Sequence, residues 1–175
     1  MVQPTTTSNA SNGSEHVVSP GCCAPFDPAE WDKDEITWNE RPFLRESVRS
    51  FFHVPLDMRQ KAKRGTRLVE AADAAPERGI ILCEERSRWG ANLYIEATRP
   101  IAGADMAFLS GTYLTKVYEG PYRDAPIWVQ DMQTYVSSEG ASAEKIYFWY
   151  TTCPRCAKAY GKNYVVLFAE LSTRA

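Results

Sequence analysis

Residues 107–136, AFLSGTYLTKVYEGPYRDAPIWVQDMQTYV, decide how this chain is expected to fold. Residues 107–118 are rich in β-branched and aromatic side chains, which predicts a long strand. A Gly-Pro-Tyr turn follows at residues 120–122, and Asp124 is a suitable helix cap. After that cap, apolar side chains recur at helical spacing: Trp128, Val129, Met132, Tyr135 and Val136. The stretch therefore predicts a strand, a tight turn and an amphipathic helix.

The same order of elements is predicted around this stretch and in the first half of the chain. Residues 47–54 favour a strand, and a helix begins after Asp57 and ends before Pro76. Each helix is followed by two more predicted strands, at 79–83 and 91–97 and at 145–151 and 163–171. The sequence therefore predicts two β-α-β-β units. The order of the elements is repeated, but the amino-acid sequence is not.

These units predict the fold class. One helix covers only one face of a three-stranded sheet, so the two bare faces must meet each other or a ligand. We therefore expect an α+β fold in which two antiparallel sheets form a ligand cleft. The expected domain spans residues 47–175, with units at about 47–100 and 105–172. Residues 21–46 are expected to form a Pro- and Asp-rich strap, and residues 1–20 a disordered polar tail.

Bulk composition limits the function. The 175 residues are 44% hydrophobic and 24% charged, which is typical of a globular domain. A net charge of -2 argues against direct binding of nucleic acid, and no apolar run is long enough to span a membrane. The polar N-terminus does not look like a signal peptide, so we expect a cytoplasmic protein. The expected partner is a small hydrophobic or aromatic ligand, without a cofactor; monomer and dimer both stay open.

Residues 116–136, KVYEGPYRDAPIWVQDMQTYV, resemble the GyrI-like small-molecule-binding family, and the repeated β-α-β-β order resembles it over about residues 47–171. Three segments resemble one branch of that family, the cyclopropanoid cyclopropyl hydrolases. They are CCAPFDP at 22–28, LSGTYLTKVYEGPY at 109–122 and YTTCPRCAKAYGKNYVV at 150–166.

The resemblance implies a cofactor-independent hydrolase. Such an enzyme opens the strained cyclopropane of yatakemycin- and duocarmycin-type DNA alkylators with water, which implies detoxification or self-resistance. A non-catalytic protein that sequesters or senses a small molecule is the main alternative. A redox or zinc protein built around the cysteines is a third interpretation.

Strand alternation supplies the candidate binding residues, because neighbouring side chains on a strand point to opposite faces. In ANLYIEA, residues 91–97, we expect Ala91, Leu93 and Ile95 to pack under a helix, and the alternate set to face the cleft. The same reasoning on the last two strands, with Trp89 at the rim, gives the predicted substrate-binding residues: Trp89, Asn92, Tyr94, Glu96, Trp149, Tyr164 and Phe168. For each aromatic ring, core packing is the competing interpretation.

Opening a cyclopropane with water needs a base for the water and a donor for the carbonyl that gains electrons. Glu119 and Glu170 are the leading candidates for the base, and Glu96 is the third. Tyr147 is the candidate donor, with Tyr94 and Tyr164 as alternatives. A carboxylate solvated at a strand end is the competing interpretation for each Glu.

The cysteines admit two interpretations. Cys153 and Cys156 form a single C-x-x-C motif, and Cys22 and Cys23 add two thiols near the N-terminus. A four-cysteine zinc site is one interpretation, and a buried cluster of structural thiols is the favoured one, since adjacent ligands are uncommon. His53 lies in an apolar strand and is predicted to be packed rather than catalytic.

Overall fold

The structure of the chain is a computed structural model, and it describes residue 23, residues 25–52 and residues 54–172. The predicted tail, Cys22 and His53 lie outside the described residues. The described strands are β1 (Glu35–Phe51), β2 (Val54–Pro55), β3 (Ile81–Ser87), β4 (Gly90–Glu96), β5 (Met106–Glu119), β6 (Ala143–Tyr150) and β7 (Tyr164–Leu171). The α-helices are α1 (Met58–Ala71), α2 (Ala125–Ser138) and α3 (Pro154–Tyr160), and single 3-10 turns form at Pro28–Glu30 and Tyr122–Asp124.

Six of these strands form one closed antiparallel barrel. The neighbours run in the order β1, β4, β3, β6, β7 and β5, and β5 pairs again with β1. The short β2 pairs only with the end of β1. The predicted fold class is therefore wrong: the order strand, helix, strand, strand occurs twice, but the two halves form one barrel rather than two sheets with a cleft between them.

The long strand β1 closes the barrel. Its first part, from Glu35 to Leu44, pairs with β5, and its second part, from Phe43 to Arg49, pairs with β4. The pairing with β5 shifts register between Trp38 and Arg41. Such a bulge bends a strand and increases its twist, as closure requires. β1 also runs across the boundary predicted at residue 46 between strap and domain.

Apolar side chains form two layers. The first fills the barrel interior and contains Trp38, Phe43, Ile80, Leu82, Tyr94, Tyr113, Tyr147, Val166 and Phe168, all buried. The second lies on the outer surface of the barrel beneath the helices and includes Val48, Leu93, Ile95, Met132, Phe148 and Leu167. Ile95 packs under α1 at Gly65, as predicted, and Ala91 and Leu93 belong to the same outer layer.

The helices cover two separate parts of the barrel wall. Helix α1 packs on β1 and β4, whereas α2 packs near β5, β6 and β7. Gly65 allows a close approach, since a methyl group there would come within 2.6 Å of Ile95 Cδ1. The outward side chains of β3 and β6 lie between the two helices. None of the described helices is long and apolar enough to cross a bilayer.

Candidate functional site

A large cavity lies on the outer surface of the barrel, between α1 and α2. Its volume is about 1440 Å³. The floor consists of outward side chains of β3, β4 and β6: Ile81, Cys83, Ala91, Leu93 and Phe148. Met58 and Ala62 of α1 stand on one side, and Ala125 and Val129 of α2 on the other. The cavity is therefore mostly apolar on its floor and both walls.

Aromatic rings close one end of the cavity. Trp149 follows the floor residue Phe148 on β6, and its ring meets Phe26 at 5.6 Å and Trp31 at 4.9 Å, both edge to face. Phe26 and Trp31 belong to the segment before β1. That segment is held by Thr115, whose hydroxyl donates to the Trp31 carbonyl at 2.7 Å. The aromatic end of the cavity is therefore anchored to the barrel.

Polar groups are few and sit mainly at the rim. Arg78 and Glu30 form an exposed ion pair at 3.4 Å, and Glu77, Arg59 and Asp27 complete the charged lining. Glu85 is different, because it lies on β3 two residues beyond Cys83 and therefore on the same outward face. Because the residue is exposed, it brings a carboxylate to the solvent-facing edge of the otherwise apolar floor.

Two tyrosines lie on the side of the cavity near α3. The rings of Tyr122 and Tyr150 meet edge to face at 5.0 Å, and the Tyr122 hydroxyl donates to Asn163 Oδ1 at 3.0 Å. Burial raises the pKa of Tyr150 well above its ordinary value. The Tyr150 phenol therefore keeps its proton at neutral pH and can donate a hydrogen bond to a ligand in the cavity.

Among the predicted binding and catalytic residues, Trp149 lines the cavity. Two of the predicted catalytic residues are hydrogen-bonded to each other, as the Tyr147 hydroxyl donates to Glu170 Oε2 at 2.9 Å. Tyr147 is 1% exposed and belongs to the barrel interior, where burial first and Glu170 second raise its pKa. Phe168 is fully buried in the same layer.

Asn92 and Tyr94 also point into the barrel. The Tyr94 hydroxyl donates to Glu84 Oε2 at 2.6 Å, and Asn92 Nδ2 donates to the Tyr94 hydroxyl at 3.3 Å. Burial, followed by the bond to Glu84, raises the pKa of Tyr94 to about 12. These hydrogen bonds link the three side chains inside the barrel, while Asn92 Oδ1 is buried without a hydrogen-bond partner among the described residues.

Glu96 is held by the protein itself. Its carboxylate accepts from Arg41 Nε at 2.9 Å and from the backbone N–H of Ile80 at 3.1 Å, and the residue is 7% exposed. A carboxylate with both oxygens engaged in this way is typical of a structural role.

The other predicted residues lie at the edges of the barrel. Glu119 is exposed at the end of β5, opposite Tyr164 in the ladder with β7. The Tyr164 ring packs against Phe26 at 5.6 Å, behind the aromatic end of the cavity. Trp89 is 54% exposed and packs with Phe51 and Phe52, a separate aromatic group.

Sequence reasoning missed Glu85, Tyr150, Phe26 and Trp31 as lining residues. Strand alternation separates Phe148 and Tyr150 from Tyr147 and Trp149 on β6, and the structure places Phe148, Trp149 and Tyr150 in the cavity lining and Tyr147 in the barrel interior. The strap could have been found from the sequence, since Phe26 lies within and Trp31 follows a Pro-Phe-Asp-Pro sequence that suits an irregular, surface-covering segment.

Three of the four predicted cysteines meet beside the cavity. The sulfur atoms of Cys23, Cys153 and Cys156 all lie within 4.8 Å of one another. Cys23 and Cys153 also line the cavity. The Cys153 N–H donates to Cys23 Sγ at 3.4 Å, and the Tyr160 hydroxyl donates to the Cys23 carbonyl at 2.6 Å. The start of the strap is thus fixed against α3.

Comparison with known proteins identifies the family. Residues 14–171 match the bacterial hydrolase family, so the chain belongs to it. No curated protein matches the sequence significantly.

Solved structures from Listeria innocua share the fold. An uncharacterized conserved protein is 12% identical with a TM-score of 0.62, and a protein described as a hydrolase is 11% identical with a TM-score of 0.59. In both cases the match covers 81% of this chain and 92% of the other. At such low identity these similarities establish the fold alone.

Proposed function

We propose that this member of the bacterial hydrolase family binds a large, planar, mostly apolar molecule in the cavity between α1 and α2. We further propose that the substrate carries a cyclopropane, as in DNA-alkylating natural products, and that water opens the ring. The observation that carries the proposal is the cavity itself. Its volume of about 1440 Å³ exceeds the range of roughly 300–1,000 Å³ typical of small-molecule sites.

The lining supports a planar ligand. An apolar floor offers burial of ring surface, and Trp149, Trp31 and Phe26 present fixed aromatic edges and faces at one end. Aromatic pairs favour offset or edge-to-face contacts, which such an arrangement provides. The charged rim leaves room for polar substituents of the ligand near water.

The proposed chemistry needs two groups in the cavity. A base takes a proton from water as its oxygen attacks a cyclopropane carbon, and the C–C bond that breaks sends its electron pair to a conjugated carbonyl. A donor hydrogen-bonds to that carbonyl oxygen, which takes a proton from solvent, and the base returns its own proton to solvent, so the product is the substrate plus one water. Glu85 is the proposed base on the cavity floor, and the protonated Tyr150 phenol is the proposed donor.

The catalytic residues predicted from the sequence stay a second, testable assignment of the same activity. Glu170 and Tyr147 are already hydrogen-bonded to each other inside the barrel, and Glu119 is exposed at the end of β5. The cavity assignment is preferred because a substrate can enter the space beside Glu85 without unpacking the buried layer around Tyr147.

Turnover is the test of the proposed function. The full chain is incubated with an excess of a cyclopropane-bearing alkylator, and the water adduct is followed by mass spectrometry. We expect many equivalents of ring-opened product per chain. Tight binding without product would replace the hydrolase with a sequestering protein, and neither binding nor product would exclude this substrate class.

A further inference from the structure

The three-cysteine cluster has the composition of a metal site. It combines the C-x-x-C pair Cys153 and Cys156 with Cys23, which lies far away in the sequence. Thiolates are the preferred ligands of zinc in structural sites, and C-x-x-C is a common ligand spacing. A redox disulfide needs only two sulfur atoms, so the third thiol is better explained by a metal.

The distances suit zinc. A tetrahedral ion with Zn–S bonds of about 2.3 Å places its sulfur ligands about 3.8 Å apart. The three sulfur atoms lie within 4.8 Å of one another, so small side-chain rotations bring them into range. Cys153 is the residue before α3 and Cys156 lies within its first turn, so the helix backbone holds this pair in register.

The surroundings also suit a bound ion. Cys156 is fully buried, while Cys23 and Cys153 reach the cavity wall. Thr152, next to Cys153, is 5% exposed, and its hydroxyl has no hydrogen-bond partner within the described part of the chain. A buried polar atom without a protein partner is typical of a place where a water molecule or an ion binds.

We propose that Cys23, Cys153 and Cys156 bind one zinc ion as thiolates, and that this ion fastens the strap to α3 at the cavity wall. The three thiols release their protons to solvent when the ion binds, so affinity falls at low pH. The strap carries Phe26 and Trp31, which form the aromatic end of the cavity. The ion therefore stabilises that end of the cavity and takes no part in the proposed ring opening.

The test uses the full chain, reduced, freed of metal with a chelator and then titrated with Co²⁺ in the absence of oxygen. We expect about one Co²⁺ per chain, a thiolate-to-cobalt charge-transfer band, and visible bands of tetrahedral intensity. Added Zn²⁺ should abolish these bands and raise the melting temperature. A reduced, folded chain that gives no thiolate-to-cobalt band would overturn the proposal.

Single variants assign the ligands. Cys23→Ser, Cys153→Ser and Cys156→Ser should each weaken Co²⁺ binding by at least ten-fold, whereas Cys83→Ala, a buried thiol outside the cluster, should bind like the parent. If a ligand variant does not fold, the parent protein answers the same question in an alkylation assay. We expect bound Zn²⁺ to protect Cys23, Cys153 and Cys156 from the alkylating reagent. Equal alkylation with and without Zn²⁺ would contradict the site independently of any hydrolase assay.

Discussion

The barrel interior and the cavity between the helices are both lined by aromatic side chains, yet they differ in packing. The interior is filled by rings such as Tyr113, Tyr147 and Phe168, which are at most 1% exposed. The cavity has Phe148 on its floor and Trp149 at its end, around a volume of about 1440 Å³. Similar residue types therefore form a solid core in one region and a binding surface in the other.

The two regions differ in packing because opposite strands face the interior, whereas helices face only part of the outer surface. Inside a barrel of this size, side chains from opposite strands meet and fill the space. On the outside, two helices cover the flanks of the wall but leave β3 and β6 between them. We therefore expect side chains of the interior to determine stability and side chains of the cavity to determine ligand binding and turnover.

The largest expected effect is on turnover, and it should distinguish two carboxylates that are neighbours in the sequence. Glu84 accepts from Tyr94 inside the barrel, while Glu85 points to the cavity. Glu85→Gln should reduce turnover about a hundred- to ten-thousand-fold, the usual contribution of a positioned base, with affinity within a few-fold of the parent. Glu84→Gln, the matched control, should turn over close to the parent.

The same assay includes the assignments made from the sequence. Glu170→Gln and Glu119→Gln should keep most of the turnover. A sharp loss of turnover in Glu170→Gln together with normal turnover in Glu85→Gln would show that catalysis takes place in the barrel interior. That result would contradict a catalytic role for the cavity.

Truncating a phenylalanine in each layer should separate the two regions by stability. Phe168→Ala should lower the free energy of unfolding by about 3–5 kcal/mol, since it leaves a hole in a close-packed interior. Phe148→Ala should cost less than that range, because the ring borders a cavity and loses fewer contacts. Denaturant unfolding of both variants measures this, and equal losses would show that the cavity floor is packed like the interior.

Ligand affinity should depend on Trp149 and not on Trp89. Trp149→Ala removes a ring that contacts Phe26 and Trp31 at the cavity end, so affinity should fall at least roughly ten-fold. Trp89→Ala removes an exposed ring from a separate aromatic group and should leave affinity unchanged. Calorimetric titration checks both, and weaker binding in Trp89→Ala would support the rim position predicted from the sequence.

The smallest expected effect concerns alkaline pH. The pKa of Tyr94 is raised in the folded protein from 10.0 to about 12, mainly by burial. The unfolded chain therefore loses this proton first, so the stability contributed by Tyr94 is complete below pH 10 and is lost as pH rises towards 12. Unfolding midpoints measured across this range should fall less steeply in Tyr94→Phe than in the parent, and identical slopes would contradict this.

Local patterns in the sequence predicted much of the chain correctly. The strand, turn and helix of residues 107–136 appear as β5, a 3-10 turn and α2, because β-branched runs and apolar helical spacing act over a few residues. Alternation also separated Leu93 from Tyr94 correctly, since the two faces of a strand are fixed by backbone geometry. The contact between Tyr147 and Glu170 was not predicted, because it depends on the pairing of β6 with β7.

The order of the elements and the two sets of side chains on each strand follow from local patterns in the sequence. Which of the two sets lines a cavity depends on how the strands pair. That choice depends on β1, which pairs with β4 and β5 together and closes the sheet, so the faces expected to form a cleft became the barrel interior. Pairings between distant strands carry no local signal, because they depend on the packing of the whole chain. The meeting of Cys23 with Cys153 and Cys156 was decided in the same way.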